Sequence, residues 1–238
     1  VTTFVLVHGT GAGGWCWQGV ARALRAAGHE VYAPTLTGVG DRSHLAGCDV
    51  NLATHITDIA SLLFYEDLTD AVLVGHSYAG MVITGVAATV PERLGLLVYL
   101  DAYVPREGES EADLWTPEIR AMIDADSGPG GGARHSPPPS LMGIDDPVLA
   151  DWYRARVTPH PFATYTQPVP PGSPRSEAIP RAYISCTVGP LTSLFGPFAE
   201  TARQRGWEVR TIATGHEAEL IAPLEVANLL IDLAGARG

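Results

Sequence analysis

Short runs of apolar residues alternate with amphipathic stretches over the first hundred positions of the chain. The apolar runs Phe4–His8, Glu30–Ala33, Ala71–Val74 and Leu96–Leu100 have the length and β-branched content of strands. Between them, Trp15–Ala27, Leu52–Phe64 and Ala79–Val90 repeat their apolar positions at helical spacing, as in Ile56, Ile59 and Leu63. Strands that are apolar throughout, rather than at every second residue, are buried on both faces, which a parallel sheet between two helical layers provides. The alternation stops near residue 103, and a Pro-rich, irregular stretch runs to about 180. It resumes with a strand at Arg181–Thr187, a helix at Phe198–Arg205, a strand at Glu208–Ile212 and a terminal helix at Ala218–Leu233. The pattern predicts an α/β fold with a mostly parallel sheet of about six strands and helices on both faces. Residues 1–102 and 181–238 form its core, and residues 103–180 form an inserted cap or lid over the crevice at the strand C-termini. Within the insertion, "DSGPGGGARHSPPPS" at 126–140 reads as a mobile surface loop.

Composition narrows the class of function. The 238 residues carry a formal charge of −11, and all fifteen basic residues are Arg. Such a chain has no basic stripe for a phosphate backbone, so nucleic acid is excluded as a partner. The missing Lys is read as coding bias rather than function. Cys16, Cys48 and Cys186 are too few and too scattered for a disulfide framework, and no Cys/His spacing suits zinc. The chain opens directly on an apolar strand without the features of a leader, and no apolar run reaches the length of a membrane span. The expectation is a cytoplasmic protein acting on a small molecule, with no metal, cofactor or membrane partner. A homodimer is compatible with the sequence and not required by it.

Three segments carry chemistry. "AVLVGHSYAGM" (71–81) runs from a strand through a tight turn into a helix of small residues, and Ser77 stands where a G-x-S-x-G elbow presents its nucleophile. Ala79 occupies the fifth position, with Gly80 one place later. "VLVHGTGAGGWCW" (5–17) ends a strand in His-Gly and opens a glycine-rich loop, where backbone N–H groups can face a developing oxyanion. Thr10 and Tyr78 are assigned as those N–H donors, and His8 as a structural residue behind the loop. A dinucleotide-binding loop fails on spacing. "TIATGHEAEL" (211–220) places His216 in the turn after the last strand, where a hydrolase base follows nucleophile and acid in chain order. His29, His44, His55, His135 and His160 have no comparable placement.

These motifs, together with "GHEVYAPTLTGVGDRSHL", "LVYLDAYVPREGES", "VTPHPFATYTQPV" and "RAYISCT", resemble the α/β-hydrolase family of plant salicylate-binding and methyl-ester esterases, hydroxynitrile lyases and their bacterial esterase relatives. The resemblance implies an esterase-type serine hydrolase with Ser77 as nucleophile, His216 as general base and Thr10 and Tyr78 as oxyanion donors. The lyase members carry Thr after the first-strand His and Lys after the base, whereas here Gly9 and Glu217 stand there. The family's triad acid falls at Gly189, and no Asp or Glu lies nearby. Three readings follow. Asp101, at the end of the strand after the nucleophile helix, serves as the acid; or a Ser–His dyad operates with water, a carbonyl, Thr192 or Ser193 orienting His216; or hydrolysis has been lost in favour of a lyase, a cyclase or ligand binding. Of the cap aromatics, Tyr103, Trp115, Trp152, Phe162 and Tyr165 are candidates to line the pocket, with packing as the plainer role.

Overall fold

In the computed structural model, which describes residues 1–47, 49–127, 133–134 and 137–236, six parallel strands form one sheet. They are β1 (Thr3–Val7), β2 (Glu30–Tyr32), β3 (Ala71–His76), β4 (Leu94–Leu100), β7 (Arg181–Cys186) and β8 (Glu208–Ile212), in the spatial order β2-β1-β3-β4-β7-β8. Every neighbouring pair is parallel. The central strands are buried along nearly their whole length, as their unbroken apolar runs require.

Two apolar layers flank the sheet. One face packs on α2 (Leu52–Tyr65), α3 (Ala79–Thr89) and α8 (Thr192–Gln204), the other on α1 (Gln18–Ala26), the short α9 (Ala218–Ile221) and α10 (Pro223–Gly235). Helix α2 starts at a reciprocal cap, in which the Asn51 side chain accepts from the Thr54 N–H and the Thr54 hydroxyl from the Asn51 N–H. Two expected boundaries move. Helix α8 begins six residues before Phe198 and carries Pro197 inside it. Proline there, past the first turn, forfeits the backbone bond to the residue four before it. The expected terminal helix is two, because Ala222 leaves the helical region (φ −135°, ψ 58°) and Pro223 opens α10.

Among its described residues, the segment between β4 and β7 adds no strand to the main sheet. It holds α4 (Pro117–Ser127), α5 (Pro147–Arg154), α6 (Ala163–Thr166) and α7 (Pro174–Glu177). It is anchored into the protein's interior rather than hinged off it: Ala112, Trp115, Tyr165 and Val169 belong to the same buried cluster as α2 and α3. Much of the expected mobile loop, including His135, lies outside the described residues, as does Cys48. Its described part, β5 (Ala133–Arg134), pairs antiparallel with β6 (His160–Pro161). Among the described residues no helix is long and apolar enough to cross a membrane.

Candidate active site

Strand β3 ends in a sharp turn that leaves Ser77 in the left-handed region (φ 55°). A residue with a side chain adopts that conformation at a cost, and such strain concentrates where a nucleophile must be lifted off the sheet. The turn is pinned on both sides: the Ser77 N–H donates to Leu100 O of β4 (3.2 Å), and the Tyr103 N–H donates to Ser77 O (3.2 Å). The small residues of the elbow have specific tasks. A Cβ on Gly75 would sit 2.7 Å from the Ala79 carbonyl oxygen, and one on Gly80 only 2.0 Å from that of Tyr103. Gly80, displaced by one position from the usual pattern, is therefore where α3 crosses the chain leaving β4.

The glycine-rich loop lies directly on this elbow, since a Cβ on Gly9 would meet the Ser77 Cβ at 3.0 Å. Behind the loop, His8 accepts from the Leu36 N–H through Nε2 (3.0 Å) and donates from Nδ1 to Gly9 O (2.8 Å). Burial lowers its pKa to about 4, so it is neutral and structural. In front, the 158–165 segment holds the loop by several bonds. The Gly11 N–H donates to His160 Nδ1 (3.0 Å), the Thr158 N–H and hydroxyl to Gly11 O (2.9 and 3.4 Å) and the Tyr165 hydroxyl to Thr10 Oγ1 (3.3 Å).

His216 is 3 % exposed, and its Nδ1 lies 2.7 Å from Asp101 Oδ2. Asp101, 1 % exposed, follows the last residue of β4 and also takes a left-handed conformation (φ 40°). Its N–H donates to Ile184 O (2.8 Å), and its Oδ1 accepts from the Cys186 N–H (3.1 Å), both on β7. The carboxylate is thus fixed by two strands, with one oxygen left for the imidazole. Phe195 stacks on His216 at 4.5 Å between ring centres and an interplanar angle of 17°. Ser77, His216, Thr10, Tyr103, Phe195 and Glu111 line one pocket.

Gly189, the position of the family's acid, adopts φ +95°, where any side chain is strained, in a turn that packs near Gly143 and Gly215. Thr192 and Ser193 spend their hydroxyls on Gly189 O (3.0 Å) and Pro190 O (3.4 Å) of that same turn. Neither is the group that holds Nδ1 of His216.

Other buried polar groups escaped the reading of the sequence. The Tyr78 hydroxyl donates to His55 Nδ1 (2.8 Å), and His55 Nε2 donates to Thr37 O (2.9 Å). His160 and Tyr165 pack their rings on Tyr78. Burial lowers the His55 pKa to about 4, so this network is uncharged. Nothing local in the sequence pairs positions 55, 78 and 160; only the fold does. Of the remaining cap aromatics, Trp152 lies elsewhere, against Trp15 and Arg156, and Phe162 packs on Trp115 and Tyr165.

Beneath His216, His76 donates from Nε2 to His216 O (3.0 Å), while its Nδ1 faces Glu219 Oε1 at 3.1 Å, off the angle of a full hydrogen bond. His76, Glu217 and Glu219 bring donor atoms within 4.8 Å of one another, the one cluster of metal-ligand type among the described residues. Their protonation accounts for the geometry without an ion. Burial, reinforced by Glu217, holds the Glu219 carboxyl well above its ordinary pKa, and burial holds His76 well below its own. A neutral Glu219 thus faces the lone pair of a neutral His76. Because the folded state keeps a proton that the unfolded chain releases, Glu219 costs stability as pH rises above about 4.5, its ordinary pKa. Urea unfolding of Glu219→Gln across pH 5–7 should show stability falling less steeply than in the wild type, by up to about 1.4 kcal/mol per pH unit. Equal slopes would mean that Glu219 is ionised in the folded protein. The thiols of Cys16 and Cys186 are buried, unpaired with each other and raised in pKa, so neither is a nucleophile.

Residues 4–229 match the model of the "Alpha/beta hydrolase family". The chain belongs to that family. It is 39 % identical over 248 residues to the carbendazim hydrolyzing esterase of Nocardioides sp. (strain SG-4G), covering 98 % of this chain and 100 % of the relative. It is 30 % identical over 201 residues to the pyrethroid hydrolase of Sphingobium wenxiniae, covering 77 % and 70 %. In three dimensions it is similar to an extracellular α/β-hydrolase from a Paenibacillus species, with a TM-score of 0.85, 23 % identity and 98 % of each chain covered. These relationships make it an α/β-fold carboxylic ester hydrolase, in agreement with the resemblance read from the motifs.

Proposed function

We propose that this α/β hydrolase cleaves small, hydrophobic carboxylic esters, lactones or related acyl compounds through a Ser77 acyl-enzyme, with Asp101 as the triad acid. The observation that carries the reading is the 2.7 Å contact between the buried Asp101 and His216, which lines one pocket together with Ser77. With Nδ1 engaged by the carboxylate, Nε2 is the nitrogen left to exchange protons with Ser77. His216 takes the hydroxyl proton as Oγ attacks the carbonyl carbon, then returns it to the leaving alcohol; a water repeats the sequence on the acyl-enzyme. The buried Asp101 stabilises the imidazolium formed at each step. The N–H groups of Thr10 and Tyr78 receive the oxyanion, on a loop that Gly9 lets approach the elbow. Residues 103–180 act as the cap that shapes the pocket. Full-length similarity to an esterase named for carbendazim, and partial similarity to a pyrethroid hydrolase, favour compact aromatic esters over lipids or polymers.

A fluorophosphonate probe should label the protein at Ser77, located by peptide mass spectrometry, and prior incubation with a small aromatic ester should slow labelling. Absence of label, or label at another residue, would remove the acyl-enzyme.

A further inference from the structure

A cavity of about 310 Å³ shares no lining residue with the pocket of Ser77. Tyr99 of β4 and Trp207, the residue before β8, stack in its lining at 5.2 Å between ring centres and an interplanar angle of 25°. Two guanidinium groups lie over the Trp207 ring, that of Arg181 at 5.7 Å and that of Arg205 at 5.6 Å. Arg181, the first residue of β7, is half-buried and donates to three carbonyls, those of Ser176 (2.8 Å), Glu177 (3.0 Å) and Ile179 (3.2 Å). These bonds fix its direction and leave its charge without a counter-ion. Arg106 adds a third guanidinium to the lining. Glu107 and Glu177, both exposed, line the cavity as well, but among the described residues no carboxylate stands within ion-pair distance of Arg106, Arg181 or Arg205. Burial raises the Tyr99 pKa, and the charges of Arg181 and Arg205 oppose that rise, so both are felt at the aromatic pair. In a chain of formal charge −11, three of the fifteen arginines around one cavity reverse the sign of the field locally. Val104, Val169 and Pro170 give the same lining an apolar wall.

We propose that this cavity is a second ligand site, which binds a small organic carboxylate with an apolar body. The carboxylate is held by Arg205 and Arg181, and the body lies against Val104, Val169 and Pro170. A guanidinium offers paired N–H donors that match the two oxygens of a carboxylate, and it keeps them while its flat face rests on an indole. Stacking on Trp207 and the carbonyl bonds of Arg181 orient the two groups before the ligand arrives, which lowers the entropy lost on binding. An inorganic anion would leave the apolar wall unused, and a neutral apolar molecule would leave the guanidinium charges unanswered. The site is independent of the chemistry at Ser77.

The test follows the indole N–H resonances of the five tryptophans in nitrogen-15-labelled protein, with Trp207→Phe identifying that of Trp207. The probes are 3-phenylpropanoate and 3-phenylpropanamide, which have the same shape and differ in charge. The acid should shift the Trp207 resonance in a saturable titration, and the amide should bind at least about tenfold more weakly. Arg205→Ala, a change at an exposed position, should weaken the acid by about tenfold and leave the amide's affinity unchanged. Arg205→Lys, which keeps the charge without the paired donors, should fall between the wild type and Arg205→Ala. Equal affinity for acid and amide, or no effect of Arg205→Ala, overturns the proposal. So does displacement of the acid by inorganic phosphate at equal concentration, which would reduce the cavity to a general anion patch. A shift at Trp115, whose indole bonds to Glu111 of the substrate pocket (3.0 Å), with none at Trp207 overturns it too, because the acid then occupies the pocket of Ser77 alone.

Discussion

Asp101→Asn should lower kcat on a good ester substrate by about four orders of magnitude with a small change in KM, as loss of the acid's charge does in serine proteases. The reason is specific to this geometry. Asp101 Oδ1 already accepts from the Cys186 N–H, so in the variant the amide's oxygen is drawn there and its NH2 group faces His216 Nδ1. That arrangement favours the wrong tautomer, with the proton on Nε2, where the base must accept from Ser77. Steady-state kinetics with a thermal unfolding control checks this, and a loss of less than tenfold would remove Asp101 from the triad. Adding Gly189→Asp to the variant should not restore the rate. The turn at Gly189 is left-handed (φ +95°), a conformation that strains an aspartate before its carboxylate can reach the base.

Ser77→Ala should reduce ester hydrolysis by about six orders of magnitude, to a residue of catalysis from binding and oxyanion donors alone. The fold should persist, because the left-handed backbone at Ser77 is enforced by bonds to Leu100 and Tyr103 and not by its hydroxyl. Single-turnover measurements on a p-nitrophenyl ester, with urea unfolding alongside, give both quantities. Retention of substantial activity would point instead to chemistry in which His216 acts as base and Ser77 only as a hydrogen-bonding partner.

The elements with the strongest local signature were legible in the sequence. The apolar runs of β1, β3, β4 and β7 read as a parallel sheet because they are buried on both faces. Ser77 and His216 could be singled out because the roles expected of them are tied to a strand end and to chain order. The acid could not be decided, because its identity depends on which strand end meets the His216 loop. That contact spans 115 residues and leaves no local pattern at Asp101 beyond an Asp after an apolar run. The same limit hid the His55–Tyr78 pair, whose meaning comes from neighbours that only the folded chain supplies. The boundary of α8 was missed for a different reason: the helix runs through Pro197, a residue that more often stands in a helix's first turn.

The bonds from the 158–165 segment to Thr10 and Gly11 have a mechanical consequence. They tie the seating of the inserted segment to the placement of the glycine-rich loop, which carries the proposed oxyanion donor Thr10. An ester too bulky for the pocket must displace that segment to enter, and in doing so takes away the His160 acceptor and the Tyr165 hydroxyl that steady the loop. Such a molecule would meet a nucleophile whose opposing donors have lost their footing, and the penalty would appear in kcat rather than in binding. Under the proposed mechanism the insertion would thereby gauge size, rejecting misfits after they have entered by withholding the chemistry.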